Sequence, residues 1–243
     1  MDPGVPRRLR RTLRGSRPVP GARRGEVVPR DRKARGGRMT DEKILVVCAA
    51  NVCRSPLAEL ALRRGLGADS PLSVSSAGIR ANAGDPICSV VASLHDDEEW
   101  QAQARAHRAR PVTVEQIEQA SIVLTASRDI RGELVRLAPR SRDWMFTIKE
   151  AAHLGEGFAS SAPDRVAEYV AHLDRGRSRA VPLAASGGVG TRLRQLFGGR
   201  TTVDPTSIAD RHGSRGHLET ISEVEASVAT ILAQLGGHRR HSS

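Results

Sequence analysis

The chain has 243 residues, of which 39% are apolar and only six are aromatic, and it carries a formal net charge of +11 at pH 7. So few aromatic residues disfavour an aromatic-rich β-sandwich and favour an α/β domain whose core is built from Val, Leu, Ile and Ala. No run approaches the roughly 18 unbroken apolar residues of a membrane-spanning helix, and no apolar signal-peptide segment opens the chain.

The positive charge lies almost entirely in residues 1–40, which hold 13 basic and three acidic side chains, while the rest of the chain carries a net charge of only +1. Residues 1–38 are mainly Arg, Gly, Pro and Val without periodicity, so we expect a disordered arm. Two interpretations stay open. The arm tethers the protein to nucleic acid or another anionic surface, or it is upstream sequence read from a misassigned start, with Met39 as the true start. Composition favours the second.

A strand, a loop and a helix follow in order. Residues 44–47 form an apolar, β-branched run, which is typical of a strand buried on both faces of a parallel sheet. After the loop we expect a helix that Ser55 caps, with Pro56 at its first position and Gly65 at its end.

Later segments repeat this alternation of strand and helix. We expect strands at residues 72–77, 122–124 and 144–148, and helices at residues 87–94, 128–137, 149–154, 163–173 and 218–235. This rhythm predicts a three-layer α/β/α sandwich with a doubly wound, parallel, four-stranded sheet and a phosphate-binding loop after the first strand. The domain is predicted to span residues 39–237, with an insertion or mobile flap around residues 155–203 and a disordered tail at residues 238–243.

The loop between the first strand and its helix carries the strongest chemical signal. Cys48 is followed by five residues, Arg54 and Ser55, and this segment runs into a helix N-terminus, whose free N–H groups bind tetrahedral oxyanions. The same field stabilises a thiolate at Cys48, to which the Ser55 hydroxyl can donate, while the Arg54 guanidinium binds two phosphate oxygens. The predicted phosphate-binding residues are Ala49, Ala50, Asn51, Val52, Cys53, Arg54 and Ser55.

A thiolate that attacks phosphorus needs a general acid to protonate the leaving oxygen. We expect Asp204 in this role, because Asp204 and Pro205 lie late in the chain before the last helix, and the proline stiffens the backbone that aims the carboxyl group. We expect no metal. His212 and His217 are interpreted as solvated surface, and Cys88 as a core residue.

Residues 44–59 read Ile-Leu-Val-Val-Cys-Ala-Ala-Asn-Val-Cys-Arg-Ser-Pro-Leu-Ala-Glu, and this segment resembles the signature of the low-molecular-weight protein tyrosine phosphatases. Supporting similarities follow in the family's order at residues 76–78, 107–110, 122–137, 146–147 and 204–205. The resemblance spans roughly residues 42–235, with residues 155–203 largely outside it.

The resemblance implies roles for individual residues. Cys48 is the nucleophile that forms a phosphocysteine, Arg54 binds phosphate and stabilises the transition state, and Asp204 acts first as acid and then as base. Asn51 holds the loop in shape, and Ser55 tunes the thiolate.

The resemblance also implies a partner and a redox role. Cys53 matches a second family cysteine that forms a reversible disulfide with Cys48 under oxidation. No cofactor is required, and the substrate is a small phosphomonoester or a phosphorylated protein, with phosphotyrosine as the expected residue.

Two departures from the family pattern bear on activity. Ala50 replaces a usual glycine, so a positive φ at this position would cost on the order of 1–3 kcal/mol. Thr206 and Ser207 stand where many members have aromatic residues, and Ala49 is small, so the predicted wall against a phosphotyrosine ring is thin.

Two alternatives to a phosphatase stay open. An arsenate reductase of the same fold uses a similar loop, but it resolves its adduct with downstream cysteines, and this chain has only Cys88 after the loop. A catalytically silent phosphate-binding protein, tethered to nucleic acid by the arm, is the other. Three cysteines without an export signal favour reduced thiols and a cytoplasmic location.

Overall fold

The computed structural model describes residues 42–160, 162, 164–184 and 204–236, with the side chains of residues 179–184 excepted. The predicted arm, the tail and residues 185–203 lie outside these residues. The described strands are β1 (Glu42–Cys48), β2 (Leu72–Gly78), β3 (Ile122–Thr125) and β4 (Met145–Thr147). They form one parallel sheet in the order β2-β1-β3-β4, which confirms the predicted four-stranded sheet.

Helices cover both faces of this sheet. They are α1 (Arg54–Leu66), α2 (Ser89–Ala92), α3 (Glu98–Ala106), α4 (Val114–Gln119), α5 (Arg128–Leu137), α6 (Ile148–Leu154), α7 (Arg165–Ala184) and α8 (His217–Gln234), with a 3₁₀ helix at Pro139–Trp144. Within the described residues, no helix has the length and apolar character needed to cross a membrane.

The alternation of side chains along β1 divides the core into two layers. Ile44 and Val46 pack with the apolar faces of α1 and α8, while Leu45 and Val47 pack with α4 and α5 on the opposite face. All four side chains are buried, and each contributes roughly 1.5–3 kcal/mol relative to an exposed position. This arrangement confirms the predicted three-layer α/β/α sandwich and explains why the strand is apolar throughout.

The helix that closes the domain follows its predicted apolar stripe. The buried side chains on α8 include Ile221, Val224, Val228 and Ile231, and Leu235 at its end is buried as well. Gly65 was expected to end α1, but the helix continues to Leu66. A Cβ at Gly65 would lie 2.2 Å from Leu232 Cδ1, so the glycine lets α8 approach α1 closely.

Helices α3 and α4 were not predicted from the sequence, and α2 is shorter than predicted. In α3 the buried side chains are Trp100 and Ala104, and in α4 Ile117 is buried, so neither helix shows a repeated apolar stripe. Their N-caps, Asp97 and Thr113, were the available signals, since each accepts a hydrogen bond from a backbone N–H of the first turn. The helix expected at residues 87–94 is limited to the four residues of α2.

The segment predicted as an insertion or flap contains a core helix. In α7, Val166, Tyr169 and Leu173 are buried against α6 and α8. The Tyr169 hydroxyl lies 2.9 Å from the carbonyl oxygen of Ala151 and 2.6 Å from Gln234 Oε1. A flap role therefore stays a prediction only for residues outside the described ranges.

Candidate active site

The loop after β1 is held by hydrogen bonds that its backbone carbonyl groups accept from N–H groups outside the loop. Ile79 N–H donates to the carbonyl of Cys48 at 3.0 Å, Arg80 N–H to that of Ala49 at 2.9 Å, and Cys88 N–H to that of Val52 at 2.7 Å. Because these carbonyls point away from the loop centre, the intervening N–H groups are turned toward it. This is the arrangement that binds an oxyanion.

Asn51 is the residue on which the shape of the loop depends. It is fully buried and is the one non-glycine residue with a positive φ, at 57°, among the described residues. Its amide Nδ2 donates to Ser55 Oγ at 3.0 Å and to Ser76 Oγ at 2.8 Å, and its Oδ1 accepts from Arg110 N–H at 3.0 Å. Asparagine tolerates this backbone conformation better than most residues. Strain at Ala50 was expected only if its φ were positive, and this condition is not met, because Ala50 does not have a positive φ.

Gly78, at the end of β2, lies directly against the loop. A Cβ at this position would lie 2.7 Å from the carbonyl oxygen of Ala49 and 2.8 Å from the backbone nitrogen of Asn51. Both atoms belong to the backbone of the loop and cannot rotate away. A glycine is therefore required here. Residues 76–78 (Ser-Ala-Gly) were one of the supporting similarities in the sequence, and the close approach of the loop explains their glycine.

Cys48 lies at the base of the loop and receives two hydrogen bonds at its sulfur. The backbone N–H of Asn51 donates to Sγ at 3.2 Å, and the Ser55 hydroxyl donates to it at 3.0 Å. Hydrogen bonds to the charged form stabilise a thiolate. Ser55 was also predicted to cap α1, but the N-cap residue is Cys53 and the helix begins at Arg54. Ser55 therefore lies inside the first turn, and its hydroxyl donates to the Cys48 sulfur instead.

Arg54 is buried in the first turn of α1 and is held by the segment that precedes α8. Its Nη1 donates to the carbonyl oxygen of Ile208 at 3.1 Å, and its Nη2 forms an ion pair with Asp210. The side chain of Arg54 is 5% exposed and that of Asp210 is 53% exposed. Asp210 was not predicted from the sequence, in which no motif distinguishes it from other polar loop residues. It places an anionic group where a phosphate is expected to bind.

Asp204 lies on the same segment, and its carboxylate binds its own turn. Oδ1 accepts hydrogen bonds from the N–H and the hydroxyl of Thr206, at 3.0 and 2.8 Å, and Oδ2 accepts one from Ser207 Oγ at 2.8 Å. Burial alone would raise the pKa of Asp204, but these hydrogen bonds and the charge of Arg128 outweigh it, so the pKa lies below its ordinary value. These contacts thus favour the carboxylate form of Asp204.

The side chain of Cys53 meets two other potential metal ligands. Its Sγ lies 3.2 Å from His217 Nε2, and Cys88 Sγ lies 3.6 Å from the same nitrogen. His217 was interpreted as solvated surface, and the structure corrects this, since the imidazole contacts both buried thiols. Burial and then the nearby Cys88 and Cys48 sulfurs raise the pKa of the Cys53 thiol to about 12. All three cysteines are free thiols.

Comparison with known proteins gives a consistent picture. The profile of a family described as low molecular weight phosphotyrosine protein phosphatase matches residues 43–156. The chain is 38% identical over 103 residues to the low molecular weight protein-tyrosine-phosphatase Wzb of Salmonella typhi, an alignment that covers 41% of this chain and 64% of Wzb. It therefore spans a little less than two thirds of that relative.

A second relative and a solved structure extend this result. The chain is 33% identical over 110 residues to the probable low molecular weight protein-tyrosine-phosphatase EpsP of Ralstonia solanacearum, covering 44% of this chain and 70% of EpsP. The crystal structure of a low molecular weight protein tyrosine phosphatase from T. tengcongensis superposes with a TM-score of 0.52 at 20% identity, over 79% of this chain and 99% of that chain. The structural match supports the same fold.

Proposed function

Since the chain belongs to the low molecular weight phosphotyrosine protein phosphatase family, we propose that it hydrolyses phosphomonoesters through a covalent phosphocysteine at Cys48. One observation carries this proposal. The Cys48 sulfur accepts hydrogen bonds from Asn51 N–H and Ser55 Oγ inside a loop whose carbonyl groups bond outward. A buried thiol that only filled space would not need two donors aimed at its sulfur.

In the first step, the Cys48 thiolate attacks phosphorus and the bond from phosphorus to the leaving oxygen breaks. The loop N–H groups and the Arg54 guanidinium bind the three equatorial oxygens, where negative charge is distributed in the transition state. The carboxylic acid of Asp204 gives its proton to the leaving oxygen. In the second step, the Asp204 carboxylate takes a proton from water, which attacks phosphorus, breaks the bond between sulfur and phosphorus, and releases inorganic phosphate.

This mechanism requires two rearrangements on the segment before α8. Phosphate competes with the Asp210 carboxylate for the Nη2 donors of Arg54, so the carboxylate must give up these donors to a phosphate bound in the fork of the guanidinium. Asp204 must give up its hydrogen bonds with Thr206 and Ser207 and form one with the leaving oxygen. Both changes lie on a segment whose Ile208 N–H donates to the carbonyl oxygen of Ala126, the residue that follows β3, at 2.8 Å.

We propose that the substrate is a phosphorylated protein, with phosphotyrosine as the expected residue. We also propose a cytoplasmic location. Residues 204–210 contain no aromatic side chain that could stack on a phosphotyrosine ring. We therefore expect weak discrimination among leaving groups. Rates measured in parallel on peptides carrying phosphotyrosine, phosphoserine and phosphoarginine would show which leaving group the site prefers.

The reaction itself is tested by hydrolysis of para-nitrophenyl phosphate by the full chain, compared with Cys48→Ser and Asp204→Asn. We expect no turnover with Cys48→Ser and a fall in kcat of about 100-fold or more with Asp204→Asn, the usual size of a lost general acid. A burst of nitrophenol equal to the enzyme concentration would report the phosphocysteine. Unchanged turnover in Cys48→Ser would overturn the proposal. The reductase hypothesis is tested separately, by measuring whether the chain reduces arsenate when a thiol reductant is supplied.

A further inference from the structure

Beside the proposed catalytic centre lies a group of three side chains that the reaction does not use. The Sγ atoms of Cys53 and Cys88 and a ring nitrogen of His217 all lie within 4.8 Å of one another. Cys53 is 4% exposed and Cys88 is 8% exposed, while His217 is partly buried. We call these three residues the thiol–imidazole cluster.

The cluster joins three elements that are distant in the sequence. Cys53 is the N-cap residue of α1, Cys88 is the N-cap residue of α2, and His217 is the first residue of α8. Backbone contacts hold these positions independently of the side chains, since Cys88 N–H donates to the carbonyl of Val52 and α8 packs its apolar stripe against the core. The ligand atoms are therefore brought together by the fold itself.

The spacing of the donors fits a tetrahedral metal ion. Zinc binds sulfur at about 2.3 Å and imidazole nitrogen at about 2.0–2.1 Å, which separates the two donor atoms by about 3.5 Å on one ion. The observed separations of His217 Nε2 from the two sulfurs are 3.2 and 3.6 Å. Two thiolates and one imidazole are a donor set that suits zinc, and coordination removes the thiol protons on binding.

From this geometry we propose that the protein binds one Zn²⁺ ion through Cys53, Cys88 and His217. A tetrahedral ion would need a fourth ligand, and the exposed His212 ring lies 4.9 Å from that of His217, measured between ring centroids. A structural site would take His212 as its fourth ligand, and an exchangeable site would take water.

The proposed ion would connect the phosphate-binding loop to the start of α8. Residues 204–216, which directly precede α8, carry Asp204 and Asp210, and α8 begins at His217. Binding of zinc to the folded protein alone also raises the free energy of unfolding, by an amount that grows with the free zinc concentration. The site therefore couples metal availability to the stability of the fold.

The test uses the full chain, reduced and stripped of metal, titrated with Zn²⁺ against a chromophoric chelator. We expect one ion per chain, with an affinity that falls by about 100-fold or more in Cys88→Ser and in His217→Gln, because each variant removes a ligand outright. Titration with Co²⁺ gives a second readout, since thiolate ligands produce an intense sulfur-to-cobalt absorption band that both variants should weaken.

Two matched variants make the outcome decisive. Cys48→Ser removes the catalytic thiol and keeps the cluster, and His172→Gln removes a partly exposed histidine outside the cluster, so we expect unchanged zinc affinity in both. Cys88→Ala, checked for folding by circular dichroism, replaces Cys88→Ser if that variant unfolds. The proposal is overturned if zinc binding is lost in Cys48→Ser and kept in Cys88→Ser, or if the parent chain binds zinc no more tightly than Cys88→Ser. Neither readout requires phosphatase turnover, so this result is independent of the proposed function.

Discussion

At the scale of single residues, the pair between Arg54 and Asp210 places a carboxylate of the protein where we propose that phosphate binds. Arg54 is buried, and its guanidinium has two partners on one segment, the carbonyl of Ile208 and the carboxylate of Asp210. A buried cation left without partners is costly, so an exposed carboxylate that can leave is a suitable substitute for the substrate phosphate.

We predict that Asp210→Asn binds inorganic phosphate more tightly than the parent protein. Because one partner of the ion pair is exposed, removing its charge is worth about 0.5–1 kcal/mol, or roughly a two- to fivefold lower inhibition constant for phosphate. Competitive inhibition of para-nitrophenyl phosphate hydrolysis measures this constant. The control is Glu219→Gln, which removes an exposed carboxylate that pairs with Arg211 instead of Arg54. Weaker phosphate binding in Asp210→Asn would show that Asp210 orients Arg54 rather than competing for it.

At the scale of secondary-structure elements, the end of β2 fixes the position of the loop through a glycine. We predict that Gly78→Ala lowers kcat/KM by about 100-fold, the usual cost of displacing a catalytic group by about 1 Å, and lowers the free energy of unfolding by about 1–3 kcal/mol. The reason is that the new Cβ would meet backbone atoms of Ala49 and Asn51 below 3 Å.

The control for this substitution is Gly132→Ala. Gly132 lies within α5, and nothing lies within 4 Å of the position that its Cβ would take. Alanine there should stabilise the helix by about 0.5–1 kcal/mol and leave kcat/KM unchanged. Full activity in Gly78→Ala would mean that the loop is not held by this contact.

Helix α7 provides a second prediction at this scale. Tyr169 is fully buried, so Tyr169→Ala should lower the free energy of unfolding by about 3–5 kcal/mol, while Tyr169→Phe, which loses only the hydroxyl bonds, should cost about 0.5–1.5 kcal/mol. Urea unfolding measures both. Leu218→Ala, at a side chain that is 66% exposed, should change stability by less than about 0.5 kcal/mol. A small effect of Tyr169→Ala would identify α7 as a detachable flap.

The sequence predicted the sheet and the loop well, because both depend on local patterns. A continuous apolar run identifies a strand buried on both faces, and the Cys-x5-Arg-Ser spacing locates a loop that runs into a helix N-terminus, where we propose an anion site. Contacts between distant segments had no such pattern. The pairing of Arg54 with Asp210, over 156 positions, and that of Cys53 with His217, over 164, arise only when the chain returns to the carboxyl edge of the sheet.

At the scale of the whole molecule, the turn at Asp204 links stability to catalysis through pH. The pKa of Asp204 in the folded state lies below its ordinary value of about 3.9. A carboxyl group with a depressed folded pKa contributes stability that is complete above its unfolded pKa and is lost as the pH falls through the folded pKa. The effect is modest, because the side chain is one third exposed.

We therefore predict opposite pH trends for stability and for turnover in acid. The free energy of unfolding of the parent should exceed that of Asp204→Asn above about pH 4, and the difference should vanish at lower pH, as measured by urea titrations from pH 3 to 7. A general acid with a depressed pKa is ionised at neutral pH in the free enzyme, so kcat/KM should rise as the pH is lowered from 7 toward 5, whereas Asp204→Asn should lose this rise. If Asp204→Asn kept the rise and Asp210→Asn lost it, the proton would come from Asp210, the carboxyl group that already contacts Arg54.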